Sequence, residues 1–220
     1  MDNESFEFAR TDTWPLYSSI CTKNNNEIAI LIGKISGGIL EEIGKVMNNS
    51  LVDVTGTIIS QNCAGIGHVV LIAICSAIDT MAAFSNGSDK NDNKVRFTSF
   101  IAKFFQDKYH GKEGAIYTVF RCDSVHGWNL HKSTISGVKN DSKHLTDELG
   151  VIYLSLYDLF DDFKMAVNKY IADFKTSTDL KNNFLKRYKK IKNNSISNST
   201  VRTISMSNNK LSGCDREENN

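Results

Sequence analysis

The sequence predicts an all-α protein, a helical bundle, and three observations favour that class. Pro15 is the single proline among 220 residues, so long helices are permitted after it, because proline breaks helix interiors. Apolar residues recur at helical spacing along several stretches. Short alternating runs of Val, Ile and Thr, which are typical of all-β proteins, are scarce. We expect one domain over residues 1–192, followed by a disordered, Ser- and Asn-rich tail over residues 193–220.

The bulk composition gives the chain no global electrostatic preference. Hydrophobic residues make up 40% and charged residues 23%, which is ordinary for a globular protein. The net charge of +1 attracts neither nucleic acid nor membranes as a whole, so any electrostatic function must come from local patches. The polar, acidic start, MDNESFEFARTDTW, lacks the apolar segment of a secretory signal. We therefore expect a cytoplasmic protein.

The first half of the chain contains two predicted helices. Asn24, Asn25 and Asn26 supply capping side chains for a helix that runs to about Met47. The most apolar stretch, residues 63–84, approaches the length of a membrane span. His68 and especially Asp79 would be costly in lipid, and they favour a helix buried inside the protein. An anchor in a membrane is the remote alternative, and we expect no membrane partner.

The second half contains further helices and a short hairpin. EGAIYTVFRCDSVHG predicts a helix that Gly127 ends, and a long amphipathic helix follows over residues 156–174, then a shorter one over about 179–191. HLTD (144–147) and GVIYLSL (150–156) can pair as a β-hairpin between the last long helices. VRFTSFIAKFFQDKY carries an apolar, mostly aromatic stripe that is typical of a core helix: Phe97, Phe100, Ile101, Phe104 and Phe105.

Cysteine and histidine spacing does not predict a metal site. The scattered cysteines, none in a CxxC pair, favour neither a zinc ribbon nor a disulfide framework. His126, His131 and His144, with Asp123 and Asp141, lack the ligand spacing of a tetrahedral site. Phosphate-binding glycine loops and a Gly-x-Ser-x-Gly elbow are also missing from the sequence. We therefore expect neither a metal nor a cofactor.

The candidate active site is the pair Arg121 and His126 at the end of one predicted helix. An imidazole can move the protons of RNA cleavage, and a guanidinium can hold two phosphate oxygens as charge builds in the transition state. Positions i and i+5 of a regular helix differ by about 140°, so His126 must swing in the last turn. In the structural alternative, His126 bonds the last carbonyls of its helix and Arg121 pairs with a buried acid, for which Asp79 is the candidate.

The motif R-C-D-S-V-H (121–126) resembles the HEPN superfamily, the higher-eukaryote and prokaryote nucleotide-binding helical domains. Many members are metal-independent ribonucleases that carry an Arg-x(4–6)-His motif. The flanking residues IYTVF before the motif and Gly127-Trp128 after it add to the likeness, which covers roughly residues 65–190 and extends to uncharacterised bacterial proteins. Catalytic members often carry Asn, Asp or His directly after the arginine, whereas this chain has Cys122.

The resemblance implies an endoribonuclease, such as a toxin or defence effector, that acts on RNA as a homodimer. It implies that Arg121 stabilises the transition state and that His126 moves protons, with Asp79 or Asp123 orienting one of them. An antitoxin or another partner protein is implied as well. The second hypothesis is a catalytically inactive HEPN-like module that keeps the fold and serves to dimerise or to bind a partner.

A basic segment near the end of the predicted domain is a second candidate for nucleic-acid binding. The predicted contacts with a phosphate backbone are Lys186, Arg187, Lys189 and Lys190, which alternate with apolar and aromatic residues. The more common alternative for such a run is a solvated helix face.

Overall fold

The computed structural model describes residues 14–48, 51–52, 58–60, 67–87, 93–124 and 133–199. This part of the chain is predominantly helical, as predicted from the sequence. A 3₁₀ helix spans Asp107–Tyr109, and a π-helix spans Ile116–Cys122. The α-helices in the described residues are α1 (Tyr17–Cys21), α2 (Asn25–Asn48), α3 (Gly67–Asn86), α4 (Asn93–Phe104), α5 (Glu113–Ala115), α6 (Leu156–Phe174) and α7 (Thr178–Ser199).

Helix α3 lies at the centre of the bundle. It packs against α2, α4, α6, α7 and the π-helix. By length and mean hydropathy it would pass as one membrane span, but 56% of its most apolar window is buried inside the protein. The apolar stretch that the sequence identified is thus mostly covered by the other helices, as expected for a core helix.

Local side-chain bonds explain where two long helices begin. At the start of α2, Asn24 Oδ1 accepts a hydrogen bond from the backbone N–H of Glu27, and the Glu27 carboxylate accepts one from the N–H of Asn24, each at 3.0 Å. This reciprocal capping box satisfies two amide groups that the helix leaves unpaired. At the start of α6, Ser155 Oγ accepts a bond from the N–H of Asp158 at 3.1 Å. The predicted capping role of the asparagine run is confirmed at Asn24.

Aromatic packing joins α4, α6 and α7 to the centre. The ring centroids of Phe104 and Tyr170 are 5.3 Å apart, and those of Phe84 and Phe184 are 5.0 Å apart. Each buried ring of this kind contributes about 1.5–3 kcal/mol from the apolar surface it removes from water. The predicted stripe is confirmed, because all five of its members are buried: Phe97, Phe100, Ile101, Phe104 and Phe105.

The end of α3 fits closely against α7. Gly87 has a φ of +72°, and a Cβ added there would lie 2.8 Å from the Cα of Asn183. The side-chain amide of Asn183 donates to the carbonyl of Ser85 at 2.8 Å. Glycine is needed at this position both for its left-handed backbone and for the close approach of α7.

A three-stranded sheet precedes α6. Its strands are β3 (Ser133–Ser136), β4 (Asp147–Glu148) and β5 (Val151–Ser155), in the order β3-β5-β4. The antiparallel pair β4–β5 is the predicted hairpin, which is confirmed. The parallel pairing of β3 with β5 was not predicted. A separate antiparallel pair, β1 (Leu51–Val52) with β2 (Ile58–Ser60), was not predicted either.

Two predicted helices differ from the observed ones. The segment expected to be one regular helix up to Gly127 contains the π-helix, and residues 125–132 lie outside the described residues. Helix α7 continues to Ser199, past the predicted end at Ile191, so the expected boundary at residue 192 falls inside a helix. Extending a helix that packing already holds in place requires no new nucleation step. This explains why the weakly helix-forming residues after Ile191 continue the helix. The rest of the predicted tail, residues 200–220, lies outside the described residues.

Candidate functional site

Arg121 lies near the end of the π-helix and faces α3. Its Nε donates a hydrogen bond to Asp79 Oδ2 at 2.9 Å. The two side chains are 18% and 19% exposed, so this ion pair is mostly, but not fully, shielded from water. The guanidinium carbon also lies 5.6 Å from the centre of the Tyr117 ring. A carboxylate and an aromatic ring thus fix the direction of the arginine.

The π-helix gives the backbone at Arg121 an uncommon form. The N–H of Asp123 bonds to the carbonyl of Thr118, five residues earlier, rather than four as in an α-helix. The buried side chains of Ile116 and Phe120 anchor the segment in the core. Segments of this kind occur frequently at functional sites. The angle of about 140° expected from a regular helix does not apply within Ile116–Cys122.

The Arg121–Asp79 pair leaves bonding capacity on both sides. Asp79 Oδ1 is buried and has no hydrogen-bond partner among the described residues. Within that same part of the chain, the two terminal amino groups of Arg121 make no hydrogen bond. Burial lowers the pKa of Arg121, but the hydrogen bond to Asp79 and its negative charge outweigh that effect and raise the pKa above its ordinary value. The arginine is therefore charged and has two donor groups available.

Neutral groups surround this pair. Burial raises the pKa of the Cys75 thiol to about 12, and the nearby charge of Asp79 adds to the rise. Burial also raises the pKa of Tyr117, with a further contribution from the neighbouring Cys122 thiol. Since thiol and phenol stay protonated at neutral pH, neither offsets the charge of Arg121.

The other predicted catalytic residues are only partly described. Asp123 follows the π-helix and is half-buried, and no hydrogen bond joins it to Arg121 or Asp79. His126 lies outside the described residues. The predicted common cleft of Arg121 and His126 therefore stays a prediction. The structure does pair Arg121 with Asp79, the acid that the structural alternative named.

The predicted nucleic-acid contacts lie on α7. Lys186 and Lys189 are exposed, whereas Arg187 and Lys190 are half-buried. Helix α7 packs on α3 near Phe84, which lies five residues after Asp79 and hence about 140° around the helix from it. The basic segment and Arg121 therefore lie on different faces of α3. The role of these basic residues stays a prediction.

Asp162 on α6 is the centre of a second polar cluster, which the sequence did not predict. Its side chain is 6% exposed. Oδ1 accepts from the Gln106 amide at 2.9 Å, and Oδ2 accepts from the Tyr109 hydroxyl at 2.8 Å and lies 2.7 Å from Lys108 Nζ. His144 Nε2 lies 3.1 Å from the Tyr109 hydroxyl and 3.5 Å from Asp162 Oδ2.

These bonds hold Asp162 ionised in a buried position. Burial raises its pKa, but the nearby His144 ring, the Lys108 ammonium and the hydrogen bond from Tyr109 together lower it below the ordinary value. Burial raises the pKa of Tyr109, and the charge of Asp162 raises it further, so the phenol keeps its proton and donates it. Both carboxylate oxygens are already bonded, which leaves this cluster little capacity for a substrate.

Two surface cavities among the described residues lie away from Arg121. One, of about 350 Å³, opens beside Phe104, Gln106 and Met165. Another, of about 250 Å³, lies between α1 and α2 and is lined both by apolar residues such as Ile20 and Leu31 and by the charged Lys23, Glu27 and Lys34. Neither Arg121 nor Asp79 lines these two cavities.

Comparison with known proteins adds no relative. No family model, no curated protein and no solved structure matches the chain. Among the described residues, no group of three or more His, Cys, Asp and Glu side chains is arranged to hold a metal ion. A function for this chain must therefore be argued from its own geometry.

Proposed function

We propose that this protein is a HEPN-like, metal-independent endoribonuclease whose active site is centred on Arg121 and His126. The observation that carries the proposal is the mode in which Arg121 is held. Asp79 accepts the hydrogen bond from Arg121 Nε, and the two terminal amino groups of Arg121 have no hydrogen-bond partner among the described residues. A guanidinium anchored in this way has a planar pair of donors suited to two oxygens of one phosphate.

In the proposed reaction, His126 removes the proton from a ribose 2′-hydroxyl, and the 2′-oxygen attacks the adjacent phosphorus. The bond from phosphorus to the 5′-oxygen breaks, and a protonated imidazole supplies that oxygen with a proton. The products are a 2′,3′-cyclic phosphate and a 5′-hydroxyl. Arg121 stabilises the negative charge that builds on the phosphate oxygens.

Two neighbouring carboxylates are available to orient these groups. Asp79 positions Arg121, and its second oxygen, Oδ1, is buried without a partner among the described residues. We propose that Asp79 also serves to orient the imidazole of His126. Asp123, which lies between Arg121 and His126 in the sequence, is the alternative orienting group. In the homodimer that the proposal includes, two copies of His126 serve as base and acid.

The proposed setting is cytoplasmic, where the enzyme acts as a toxin or defence effector on RNA. A partner protein such as an antitoxin would restrain it. Lys186, Arg187, Lys189 and Lys190 on α7 supply phosphate contacts away from Arg121. If these residues bind the phosphate backbone, the affinity for RNA should decrease steeply as the salt concentration rises.

The second candidate function is a catalytically inactive HEPN-like module that dimerises or binds a partner. Two observations favour it. Asp79 already neutralises Arg121, whose side chain is 18% exposed. Cys122 follows the arginine, where catalytic members of the resembled family often have Asn, Asp or His.

Cleavage of RNA in the presence of EDTA separates the two functions. Wild type, Arg121→Ala and His126→Ala are incubated with single-stranded RNA, and the ends of the products are analysed. We expect 2′,3′-cyclic phosphate ends from wild type and a loss of about 10²–10³-fold in rate for each variant. Intact RNA with all three proteins, together with a stable dimer by light scattering, would support the inactive module instead.

His110→Ala is the matched control for these variants. His110 is exposed and lies at the end of the 3₁₀ helix, where its Nε2 lies 3.1 Å from the carbonyl of Ala102. Removing it deletes a histidine without touching Arg121 or Asp79. Cleavage by this variant is expected at the wild-type rate, so a nonspecific effect of losing a histidine is excluded.

A further inference from the structure

His144 is buried where the three-stranded sheet meets α6. It belongs to the loop between β3 and β4, and its side chain is 5% exposed. Its Nδ1 accepts a hydrogen bond from the backbone N–H of Ser155 at 3.1 Å. Its Nε2 faces the other way, 3.1 Å from the hydroxyl of Tyr109. The ring therefore connects the end of β5 to the 3₁₀ helix.

The bonds fix which nitrogen carries the hydrogen. The backbone N–H of Ser155 can only donate, so Nδ1 must be unprotonated, and the neutral ring carries its hydrogen on Nε2. That N–H donates to the oxygen of Tyr109, whose own hydrogen is donated to Asp162 Oδ2 at 2.8 Å. Each hydrogen is used once along this chain of bonds, and neutral His144 satisfies both of its neighbours.

We propose that His144 is a pH-sensitive latch, which fastens the loop between β3 and β4 to the end of β5 while the ring is neutral and releases it when the ring is protonated. The second proton must go to Nδ1, where the Ser155 N–H already points from 3.1 Å. Two donors then face each other, the hydrogen bond is lost, and a charge is placed in a buried position.

The charged groups around the ring do not compensate for this loss. From α6, Asp162 attracts the charged ring at Nε2, but it is already bonded by Lys108 and Gln106, and it lies on the side away from Nδ1. Asp158, also on α6, accepts the backbone N–H groups of Asn140 and Asp141, each at 2.8 Å.

The loop that carries His144 has its charges engaged as well. Asp141 accepts the backbone N–H of Lys143 at 3.0 Å, and Lys143 Nζ is paired with Glu148. Lys112 donates to the carbonyl of Leu145 at 2.8 Å and adds positive charge nearby. Among the described residues, then, the nearby carboxylates have other partners and none of them accepts an N–H from Nδ1.

Ser155 lies where β5 ends and α6 begins, so loss of its hydrogen bond to His144 affects both elements. Ser155 ends β5, caps the N-terminus of α6 through Oγ, and donates that hydroxyl to the carbonyl of Val138 at 2.6 Å. It also lies opposite Ser136 in the parallel pairing of β3 with β5. Losing its amide bond therefore loosens strand and helix together. The latch is closed when the His144 ring is neutral and opens when the ring takes up a second proton.

Hydrogen exchange of the Ser155 amide tests the latch. Protection, corrected for the intrinsic exchange rate, is measured at about pH 7.5 and about pH 5.5, on either side of the titration range. We expect protection in wild type to fall by about tenfold or more at the lower pH, as for one lost hydrogen bond. His144→Asn, whose Oδ1 can accept from Ser155 and cannot be protonated, is expected to show no such fall. His110→Ala is the control and should behave like wild type.

Equal protection of wild type at both pH values would overturn the proposal, as would the same fall in His144→Asn. A second measurement needs no variant. The ¹⁵N chemical shifts of the His144 ring in wild type at neutral pH should report a neutral ring protonated on Nε2. A charged ring, or one protonated on Nδ1, under those conditions would also overturn it.

Discussion

Asp79 on α3 and Asp162 on α6 each bind a cation, yet they are bonded very differently. Asp162 is 6% exposed and accepts hydrogen bonds on both oxygens from Gln106 and Tyr109, with Lys108 2.7 Å away. Asp79 has one bond, from Arg121, and its second oxygen is buried without a partner among the described residues.

The difference separates a structural carboxylate from one with capacity left for function. A buried carboxylate is stable when its oxygens are bonded, and removing it then leaves its donors unsatisfied. A buried oxygen without a hydrogen-bond partner destabilises a fold by about 1–3 kcal/mol. The folded protein nevertheless keeps such an oxygen at Asp79. Arg121 also stands on a π-helix, a form frequent at functional sites. We therefore assign fold stability to the Asp162 cluster and propose RNA chemistry for Arg121.

The largest expected effect is on stability at Asp162. Asp162→Ala leaves Lys108, Gln106 and Tyr109 without their acceptor, so we expect the free energy of unfolding to fall by about 3–5 kcal/mol. Urea denaturation measures it. Asp161→Ala is the matched control on the same helix, because Asp161 is 37% exposed and pairs with surface lysines. The free energy of unfolding of Asp161→Ala should fall by less than about 1 kcal/mol. An equal fall in both variants would contradict the structural role assigned to Asp162.

Activity should depend most on Arg121. Arg121→Ala is expected to reduce RNA cleavage by about 10²–10³-fold, while the free energy of unfolding falls by about 1–2 kcal/mol, less than for Asp162→Ala. Arg121→Lys keeps the charge but loses the planar donor pair, so it should not restore the rate. Cleavage rates and urea denaturation of the same preparations measure both effects. Full activity of Arg121→Lys would show that a point charge suffices.

A smaller effect is expected at the hydroxyl of Tyr109. Tyr109→Phe keeps the ring in the core but removes the link between His144 and Asp162. The free energy of unfolding should fall by about 1.5–3 kcal/mol, the range for a hydrogen bond to a charged group. Thermal or urea denaturation gives the value, and an unchanged stability would mean that the network is not bonded as described.

The smallest expected effect is the acid dependence of stability. The pKa of Asp162 is lowered in the folded protein, so the unfolded chain binds more protons as pH drops below about 4. Stability from Asp162 is therefore present above the unfolded pKa and is lost as pH falls through the folded one. Urea denaturation of wild type between about pH 5 and pH 3 should show this decline. For Asp162→Asn the free energy of unfolding should decline less over the same pH range. An equal decline in wild type and variant would contradict the prediction.

The helices were predictable because their signals are local. The spacing of apolar residues predicts α2 and α6, and the asparagine run predicts the start of α2. The strand β3 has only four residues and pairs in parallel with residues 19 positions later, beyond the β4–β5 turn, so no local pattern reveals it. The π-helix depends on how Phe120 and its neighbours pack against other helices, which the sequence spacing does not encode.

The same distinction applies to the polar sites. Asp79 was identified as a partner for Arg121, 42 positions away, because an acid in an apolar helix needs a counter-charge. The Asp162 cluster escaped prediction, since its donors Gln106 and Tyr109 stand 56 and 53 positions away on polar-looking segments. His144 drew notice only as a metal ligand candidate, and its role as a neutral link depends on Ser155, which only the folded chain brings to it.

RNA cleavage by Arg121→Ala and Asp162→Asn, compared side by side below the unfolding temperature of both, tests the central assignment most directly. We predict that Arg121→Ala is folded and produces 2′,3′-cyclic phosphate ends about 10²–10³-fold more slowly than wild type, while Asp162→Asn is less stable and still produces them at the wild-type rate. Cleavage by Arg121→Ala at the wild-type rate would contradict the assignment.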